Sequence, residues 1–341
     1  MGILLFSVRR LLLAIPTLLG LLIVTFILAN FMPGDPLARL LGDVGGSNPE
    51  AVAAYREKWG LDKPLWLQFF VYVGNLLRGD LGQSTFSRRG VMQDLADYLP
   101  ATMELGVAAI LFAGIFGLIL GCLAAIFHNR WPDFLVRAIA LLASGVPVFW
   151  LGLIGLQIFY LQLGIVPGPE GRLSSGVNAP PRITGAFTVD ALLSADPIAF
   201  WDALAHLVLP AAVLGAFFLG LVSRMMRASM LDVLKSPYLM TAKSKGLRTA
   251  TIARAHILPN ALIPTVTVVG LAVGGLLAGA VLTETVFSWP GIGRYAVDAA
   301  KALDYQAILG VTLLIGLIYV ITNAVIDIIY AALDPRIRLG S

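Results

Sequence analysis

The chain has 341 residues, of which 58% are hydrophobic and 13% are charged, well below the roughly 25% charged residues of soluble domains. The mean hydropathy is +0.86, and the formal net charge is +4. This composition excludes an ordinary soluble domain and predicts an all-α integral membrane protein. The single cysteine, Cys122, also argues against a disulfide framework or a cysteine-based metal site.

Charge-free apolar runs recur along the chain and predict six transmembrane helices, because about 20 helical residues are needed to cross a bilayer. The first run is too long for the apolar core of a signal peptide, so we expect a retained helix. The predicted spans, in chain order, are 11–31, 105–127, 138–161, 205–222, 261–283 and 308–333.

The distribution of charge between the spans predicts the orientation. The segments on the side of both termini are 1–10, 128–137, 223–260 and 334–341. They hold 13 basic and 3 acidic residues, a net charge of +10, and Lys and Arg concentrate in cytoplasmic loops. Both termini are therefore expected in the cytoplasm. The segments 32–104, 162–204 and 284–307 are expected outside. With this orientation, the basic pI requires no nucleic-acid partner.

Several features of the spans and external segments carry local predictions. The external segments are expected to contain helices over 48–59, 65–77 and 187–193. Pro147 is expected to kink the third span. Small residues are expected to let helices approach closely; on the second span they are Gly106, Gly114, Gly117 and Gly121. Either 35–97 or 163–201 is expected to contact an external partner or to cover the outer mouth, since long loops with their own helices are usually functional or disordered.

A basic, polar stretch separates the fourth and fifth spans and predicts a bent pair of short helices. Ser236 and Pro237 form a helix start, and Gly246 is suited to the left-handed position that ends one. Thr249 can begin a second helix, which is expected to end before Pro259. Such an element between two spans suits docking onto a partner; the alternative is an ordinary solvated basic loop.

Recognisable catalytic motifs are absent from the sequence. It contains no phosphate-binding G-x-x-x-x-G-K-[ST], no H-E-x-x-H and no G-x-S-x-G. The histidines His128, His206 and His256 lack metal-ligand spacing. Glu284, near the membrane edge, is a candidate for the translocation pathway, with a solvated carboxylate at a helix end as the alternative. The spans lack the charges of an ion relay, so a transporter of this kind must take its energy from another subunit.

The spacing of Ala242, Gly246 and the pair Leu258-Pro259 resembles the cytoplasmic "EAA" loop of bacterial ABC importer permeases. Met240 stands where the wider family has Glu, Thr241 where it has Ala, and His256 where it has Ile. The chain instead looks like the dipeptide, oligopeptide and nickel branch. Segments that resemble this branch include Pro33-Gly34-Asp35-Pro36, Gly60-Leu61-Asp62-Lys63-Pro64, Gly79-Asp80-Leu81-Gly82, Thr102-Met103-Glu104-Leu105-Gly106, Leu282 to Gly291 and Asp334 to Arg338.

The resemblance implies a type I ABC importer permease fold in the bacterial inner membrane. It implies a homologous second permease, two ATP-binding subunits and a periplasmic peptide-binding protein as partners. No cofactor is implied in this chain, since ATP and Mg would be bound by the ATPases. The residues implied in ATPase coupling are Ser236, Pro237, Tyr238, Thr241, Ala242, Lys245, Gly246, Leu258 and Pro259.

Three functions remain open on the sequence. The first is a non-catalytic permease for dipeptides or short peptides, which forms half of a translocation pathway. The second is a sister importer for glutathione, oligopeptides or a nickel chelate. The third is an ion-coupled carrier or a membrane enzyme, against which the missing relay and catalytic residues argue. In the coupling hypothesis, Tyr238 and Ala242 share one helical face toward the ATPase, and the small Ala242 lets the partner backbone approach.

Overall fold

The computed structural model describes residues 3–31, 57, 60 and 62–333. The chain divides into two compact units, one formed by Met1–Leu99 with Arg294–Ser341 and the other by Pro100–Gly293. The regular structure of the described residues is helical, apart from a single isolated bridge between Gln83 and Gly90. The all-α prediction is thus confirmed. The helix expected over 48–59 and the tail 334–341 lie outside the described residues.

Twelve α-helices occur among the described residues. They are α1 Ile3–Phe31, α2 Leu65–Leu77, α3 Val91–Ile126, α4 Trp131–Gly145, α5 Val148–Gly155, α6 Phe187–Leu193, α7 Pro197–Leu234, α8 Pro237–Ser244, α9 Thr249–Ile252, α10 Leu258–Val286, α11 Ile292–Lys301 and α12 Tyr305–Leu333. Short π-helical turns, Leu156–Gln162 and Ala253–Ile257, follow α5 and α9. The two external helices predicted over 65–77 and 187–193 are confirmed as α2 and α6.

Four helical segments within the described residues are long and apolar enough to cross a membrane: Val91–Ile126, Pro197–Leu234, Ala250–Gly270 and Tyr305–Ile326. A fifth span results if the bent pair Trp131–Gly145 and Val148–Gln162 is counted as one crossing. The first predicted span, 11–31, lies within α1 (Ile3–Phe31), which contains the shorter apolar helix Ile15–Ile27. The count of six therefore stays a prediction.

The helix pair α4 and α5 is broken at Pro147, and its two parts meet at a bend of 110°. Proline has no backbone N–H and its ring clashes with the preceding turn, so an unbroken helix through this position is disfavoured. The predicted effect of Pro147 is confirmed, and the observed break is much sharper than a kink.

The unit formed by Met1–Leu99 and Arg294–Ser341 packs α1 against α12 and α2. Phe26 of α1 meets Phe69 of α2 edge to face, with ring centroids 5.4 Å apart. The connection before α12 is fixed by the fully buried Asp304, which accepts a hydrogen bond of 2.6 Å from the Ser84 hydroxyl. A buried carboxylate thus ties the segment before α3 to the start of α12.

The unit Pro100–Gly293 is built around α7, a helix of 38 residues that contacts α4, α5, α6 and α10. Asp196 caps its N-terminus, since its side chain accepts hydrogen bonds from the backbone N–H groups of Ile198 and Ala199. Leu105, Leu214 and other buried residues form a core on its inner face. The predicted fourth span, 205–222, is only the charge-free middle of this helix, because apolar burial continues beyond its charged residues.

Candidate functional site

The stretch between α7 and α10 forms the bent helical element that the sequence predicted. The helices α8 and α9 lie on either side of Gly246, whose φ is +73°. The backbone N–H of Leu247 donates to the carbonyl oxygen of Ala242 across the turn (3.4 Å). Glycine adopts this left-handed conformation at little cost, which explains why α8 ends here. We refer to residues 236–260 as the bent loop.

The second arm of the bent loop differs from its prediction. The helix was expected to end before Pro259, but α9 passes through the π-helical turn Ala253–Ile257 directly into α10, which begins at Leu258. Pro259 lies in the first turn of α10, directly after the π-helical turn. The second arm is therefore continuous with α10, in a helical segment, Ala250–Gly270, that is long and apolar enough to cross a membrane.

The inner face of the bent loop is apolar and packed into the chain's own core. Leu239 and Ala242 of α8 are 3% and 8% exposed. They cluster with Met226 and Met230 of α7 and with Ile257. The expectation that Ala242 faces a partner backbone, on the same face as Tyr238, is wrong in this respect. Ala242 instead packs inward, in the apolar cluster that contains Met226 and Met230.

The outer face of the bent loop carries exposed apolar side chains whose exposure the sequence did not predict. Met240 is 72% exposed, and Leu247 at the bend is 40% exposed. Tyr238 is exposed at the edge of this face, and its hydroxyl donates to the carbonyl oxygen of His256 (3.4 Å) and accepts from the side chain of Asn260 (3.3 Å). Tyr238 thus ties the two arms together as well as lining the outer face.

The remaining predicted residues of the loop are mostly at its surface. Pro237, Thr241, Lys245, Gly246, Leu258 and Pro259 are exposed, and Ser236 is partly exposed. The hydroxyl of Ser236 donates to the carbonyl oxygen of Asp232 at 3.5 Å. The structure therefore brings the predicted residues together in one compact element, with Ala242 turned inward.

Glu284 is buried within the protein and does not line an open path. Its side chain is fully buried and accepts a hydrogen bond of 2.6 Å from the hydroxyl of Thr102. The same hydroxyl accepts the backbone N–H of Ile292 (2.8 Å), and Gly291 and Gly293 pack directly against the carboxylate. Glu284 thus joins α10 to α3 inside the unit Pro100–Gly293. This structural role differs from both expectations, a pathway residue and a solvated helix end.

A second polar network lies in the external segment before α7. Arg172 and Glu104 form an ion pair whose side chains are 6% and 4% exposed. The other oxygen of Glu104 accepts the backbone N–H and the hydroxyl of Thr188. The guanidinium carbon of Arg172 lies 3.6 Å from the ring centre of Phe187. Burial lowers the pKa of Arg172, and the charge of Glu104 opposes this shift.

The three histidines lie in separate parts of the unit Pro100–Gly293. His128, in the turn between α3 and α4, contacts Arg227. His206 is buried in α7, where its Nδ1 lies 2.8 Å from the carbonyl oxygen of Asp202. His256 belongs to the second arm of the bent loop. In the part of the chain that the structure describes, no three metal-ligating side chains come together as a cluster.

Comparison with known proteins assigns the family. The profile described as "Binding-protein-dependent transport system inner membrane component" matches residues 117–339, and the profile of the corresponding N-terminal region matches residues 3–106. The chain belongs to this family. It is a multi-pass permease subunit of the inner membrane, and the family implies that it works with a binding protein and an ATPase.

Three relatives share nearly the full length of this permease. It is 44% identical over 321 residues to the probable D,D-dipeptide transport system permease protein DdpB of Escherichia coli, covering 94% of both chains. It is 45% identical over 333 residues to the di/tripeptide transport system permease protein DppB of Pseudomonas aeruginosa, covering 98% of both. It is 36% identical over 333 residues to the glutathione transport system permease protein GsiC of Escherichia coli, again covering 98% of both.

Proposed function

We propose that this permease forms half of the translocation pathway of an ATP-driven importer for dipeptides and short peptides. A homologous second permease completes the pathway, two ATP-binding subunits drive it, and a periplasmic binding protein delivers the peptide. The names of the relatives support this substrate class. The proposal includes six spans of the type I importer arrangement, cytoplasmic termini and a cytoplasmic bent loop, as the charge asymmetry favours.

The observation that carries the proposal is the two-sided construction of the bent loop. Its inner face is anchored by Leu239 and Ala242, whereas Met240 is exposed and Tyr238 is exposed at the edge, beside the second arm. An apolar side chain on a rigid, basic element suits insertion into a groove of a partner. We infer that α8 is the coupling helix and that the ATPase contacts Met240 and Tyr238, with Ala242 holding the helix in place.

The exposed cations at the end of α8 would form the edge of this contact. Lys245 and Arg248 are both exposed, and each ion pair with the ATPase would contribute about 0–1 kcal/mol and weaken with salt. The apolar contact is therefore expected to decide affinity, and the charges to decide how strongly binding depends on ionic strength.

A sister importer remains the second candidate for this permease, since one near-full-length relative is named for glutathione transport. The lower identity of that relative, 36% against 44% and 45%, favours the dipeptide hypothesis. Oligopeptides and a nickel chelate are further candidate substrates of such a sister importer. Because the binding protein would select the ligand, a binding assay on that subunit with dipeptides and glutathione distinguishes the candidates.

The two-permease pathway rests on the polarity of the cargo. A peptide carries backbone polar groups that cannot be left in hydrocarbon, so it needs a water-lined path, and one set of packed helices encloses little more than its own side chains. The proposal is tested by reconstituting the permease in proteoliposomes with its ATPases and binding protein, with and without the second permease. We expect uptake of a labelled dipeptide only when both permeases are present. Uptake by this permease alone would contradict the proposal.

A further inference from the structure

The first turn of α4, directly after the turn that joins it to α3, holds a fully buried carboxylate that pairs with an arginine of α7. Asp133 is 0% exposed. Its two oxygens accept hydrogen bonds from Nε and Nη2 of Arg227, at 2.7 and 2.8 Å. The backbone N–H of Asn129 donates to the same carboxylate at 2.9 Å, and Nε of Arg137 lies 3.4 Å away. His128 completes the cluster, with Nδ1 3.1 Å from Nη2 of Arg227.

This arrangement fixes geometry as well as charge. A guanidinium that donates two parallel hydrogen bonds to a carboxylate sets both the distance and the orientation of the two groups. The turn itself is shaped to meet the carboxylate, since Asn129 has a φ of +58° and donates to it. Arg227 therefore sets the distance between this part of α7 and the start of α4.

The Arg227–Asp133 pair is adjacent to the apolar residues against which the bent loop packs. Met226 and Met230 of α7, on either side of Arg227 in the sequence, pack against Leu239 and Ala242 of α8. Ala125, near the end of α3, belongs to the same cluster. Arg227 thus lies on the same part of α7 as Met226 and Met230, which pack against the bent loop.

We propose that Arg227 and Asp133 are a positioning pair that makes the bent loop, the end of α7 and the α3–α4 turn move as one body. A displacement of the loop by the ATPase then reaches α3 and α4 as well as α10. Without the pair, the end of α7 can shift under the loop, and ATP hydrolysis is no longer converted fully into transport. This inference rests on the proposed coupling role of the loop.

The alternative is that the pair contributes only to stability, and the two roles differ in what they change. A stabilising pair alters the amount of folded complex, whereas a positioning pair alters the number of ATP molecules hydrolysed per peptide transported by the complex that has assembled. Residues along such a coupling route change coupling between sites by about twofold to thirtyfold.

The test uses the complete complex in proteoliposomes with the binding protein and a labelled dipeptide. The variants are Arg227→Met, which removes the charge but keeps the length of the side chain, and Arg227→Lys, which keeps the charge but not the paired hydrogen bonds. Arg130→Met removes an exposed arginine of the same turn and serves as the control. We expect about threefold to tenfold more ATP per peptide in Arg227→Met, a smaller rise in Arg227→Lys and none in Arg130→Met.

A wild-type ratio in assembled Arg227→Met overturns the inference. If that variant does not assemble, the ratio in Arg227→Lys decides in the same way, and failure of both to assemble shows that the pair serves folding alone. Failure of the proposed function is seen separately, because the wild-type complex would then bind no ATPase or take up no peptide before any variant is compared.

Discussion

Gly121 of α3 lies so close to α7 that a Cβ atom placed on it would be 2.6 Å from the Cβ of Met226 and 2.7 Å from the carbonyl oxygen of Ser223. Gly114, two turns earlier on α3, has no neighbouring atom within 4 Å of the same position. The sequence predicted close packing for both glycines, and the structure assigns it to Gly121.

We expect Gly121→Val to be far more damaging than Gly114→Val. Adding side-chain atoms to a packed contact costs about 1–3 kcal/mol, and at Gly121 one clashing atom belongs to the backbone and cannot rotate away. The measurement is thermal unfolding of the purified permease complex in detergent. Equal losses in the two variants would show that the α3–α7 contact is not the cause.

Substitution of Gly246 is expected to act through backbone conformation alone. No atom lies within 4 Å of a Cβ placed there, so a side chain meets no steric obstacle, but its φ of +73° disfavours β-branched residues. We expect Gly246→Val to cost about 1–2 kcal/mol locally and to reduce co-purification of the ATPase. Gly246→Asn is the matched control, since Asn tolerates this region better. If both variants retain the ATPase at wild-type levels, the angle of the bend is unimportant.

The inner and outer faces of the bent loop predict two different defects. Ala242→Trp adds a large side chain at a position 8% exposed in the core and is expected to lower the stability of the permease itself. Met240→Asp changes a side chain that is 72% exposed and is expected to leave unfolding unchanged while the ATPase no longer co-purifies. Thermal unfolding and ATPase recovery are measured on both variants. ATPase recovery at wild-type levels in Met240→Asp would remove Met240 from the contact surface.

Breaking the ion pair of Arg172 and Glu104 is expected to loosen the external segment 163–201. Arg172→Met leaves the Glu104 carboxylate buried without a cation, which typically costs about 3–5 kcal/mol. Arg182→Met, at an exposed position of the same segment, is the control. Limited proteolysis should cut the segment in Arg172→Met only.

The stability of this segment is expected to depend on pH through the ionisation of Asp190. Burial raises the pKa of Asp190, but hydrogen bonds from the Thr184 hydroxyl and from the backbone N–H groups of Thr184, Gly185 and Ile183 more than offset this, so the pKa lies below its usual value. The ionised form is therefore stabilised by folding. Its contribution is fully present above the unfolded pKa of about 3.9 and is lost as pH falls through the lowered pKa of the folded state.

We accordingly expect Asp190→Asn to destabilise the permease at pH 7 and the difference from wild type to shrink below about pH 4. Glu170→Gln removes an exposed carboxylate of the same segment as a control. Unfolding is measured at both pH values in the same detergent. A difference that grows on acidification would reverse the sign and exclude this role for Asp190.

The sequence by itself determined the features that depend on local chemistry. Hydropathy over whole segments indicated the membrane class, Pro147 the break between α4 and α5, and Gly246 the end of α8, because backbone restrictions act through neighbouring atoms. The periodic apolar pattern likewise predicted α2 at its observed bounds, and a short amphipathic stretch indicated the place of α6. The motifs of the bent loop and of the whole chain led to the family that the comparison shows.

Only the tertiary structure decided which face of an element is covered, because burial depends on side chains far away in the sequence. Helical spacing placed Tyr238 and Ala242 on one helical face, but it did not show that residues of α7 bury Ala242. The position of Glu284 near a membrane edge did not predict its hydrogen bond with Thr102, which is 182 positions away in the sequence. Asp133 and Arg227 are separated by 94 positions, and their contact exists because α4 and α7 pack side by side, which no local pattern encodes.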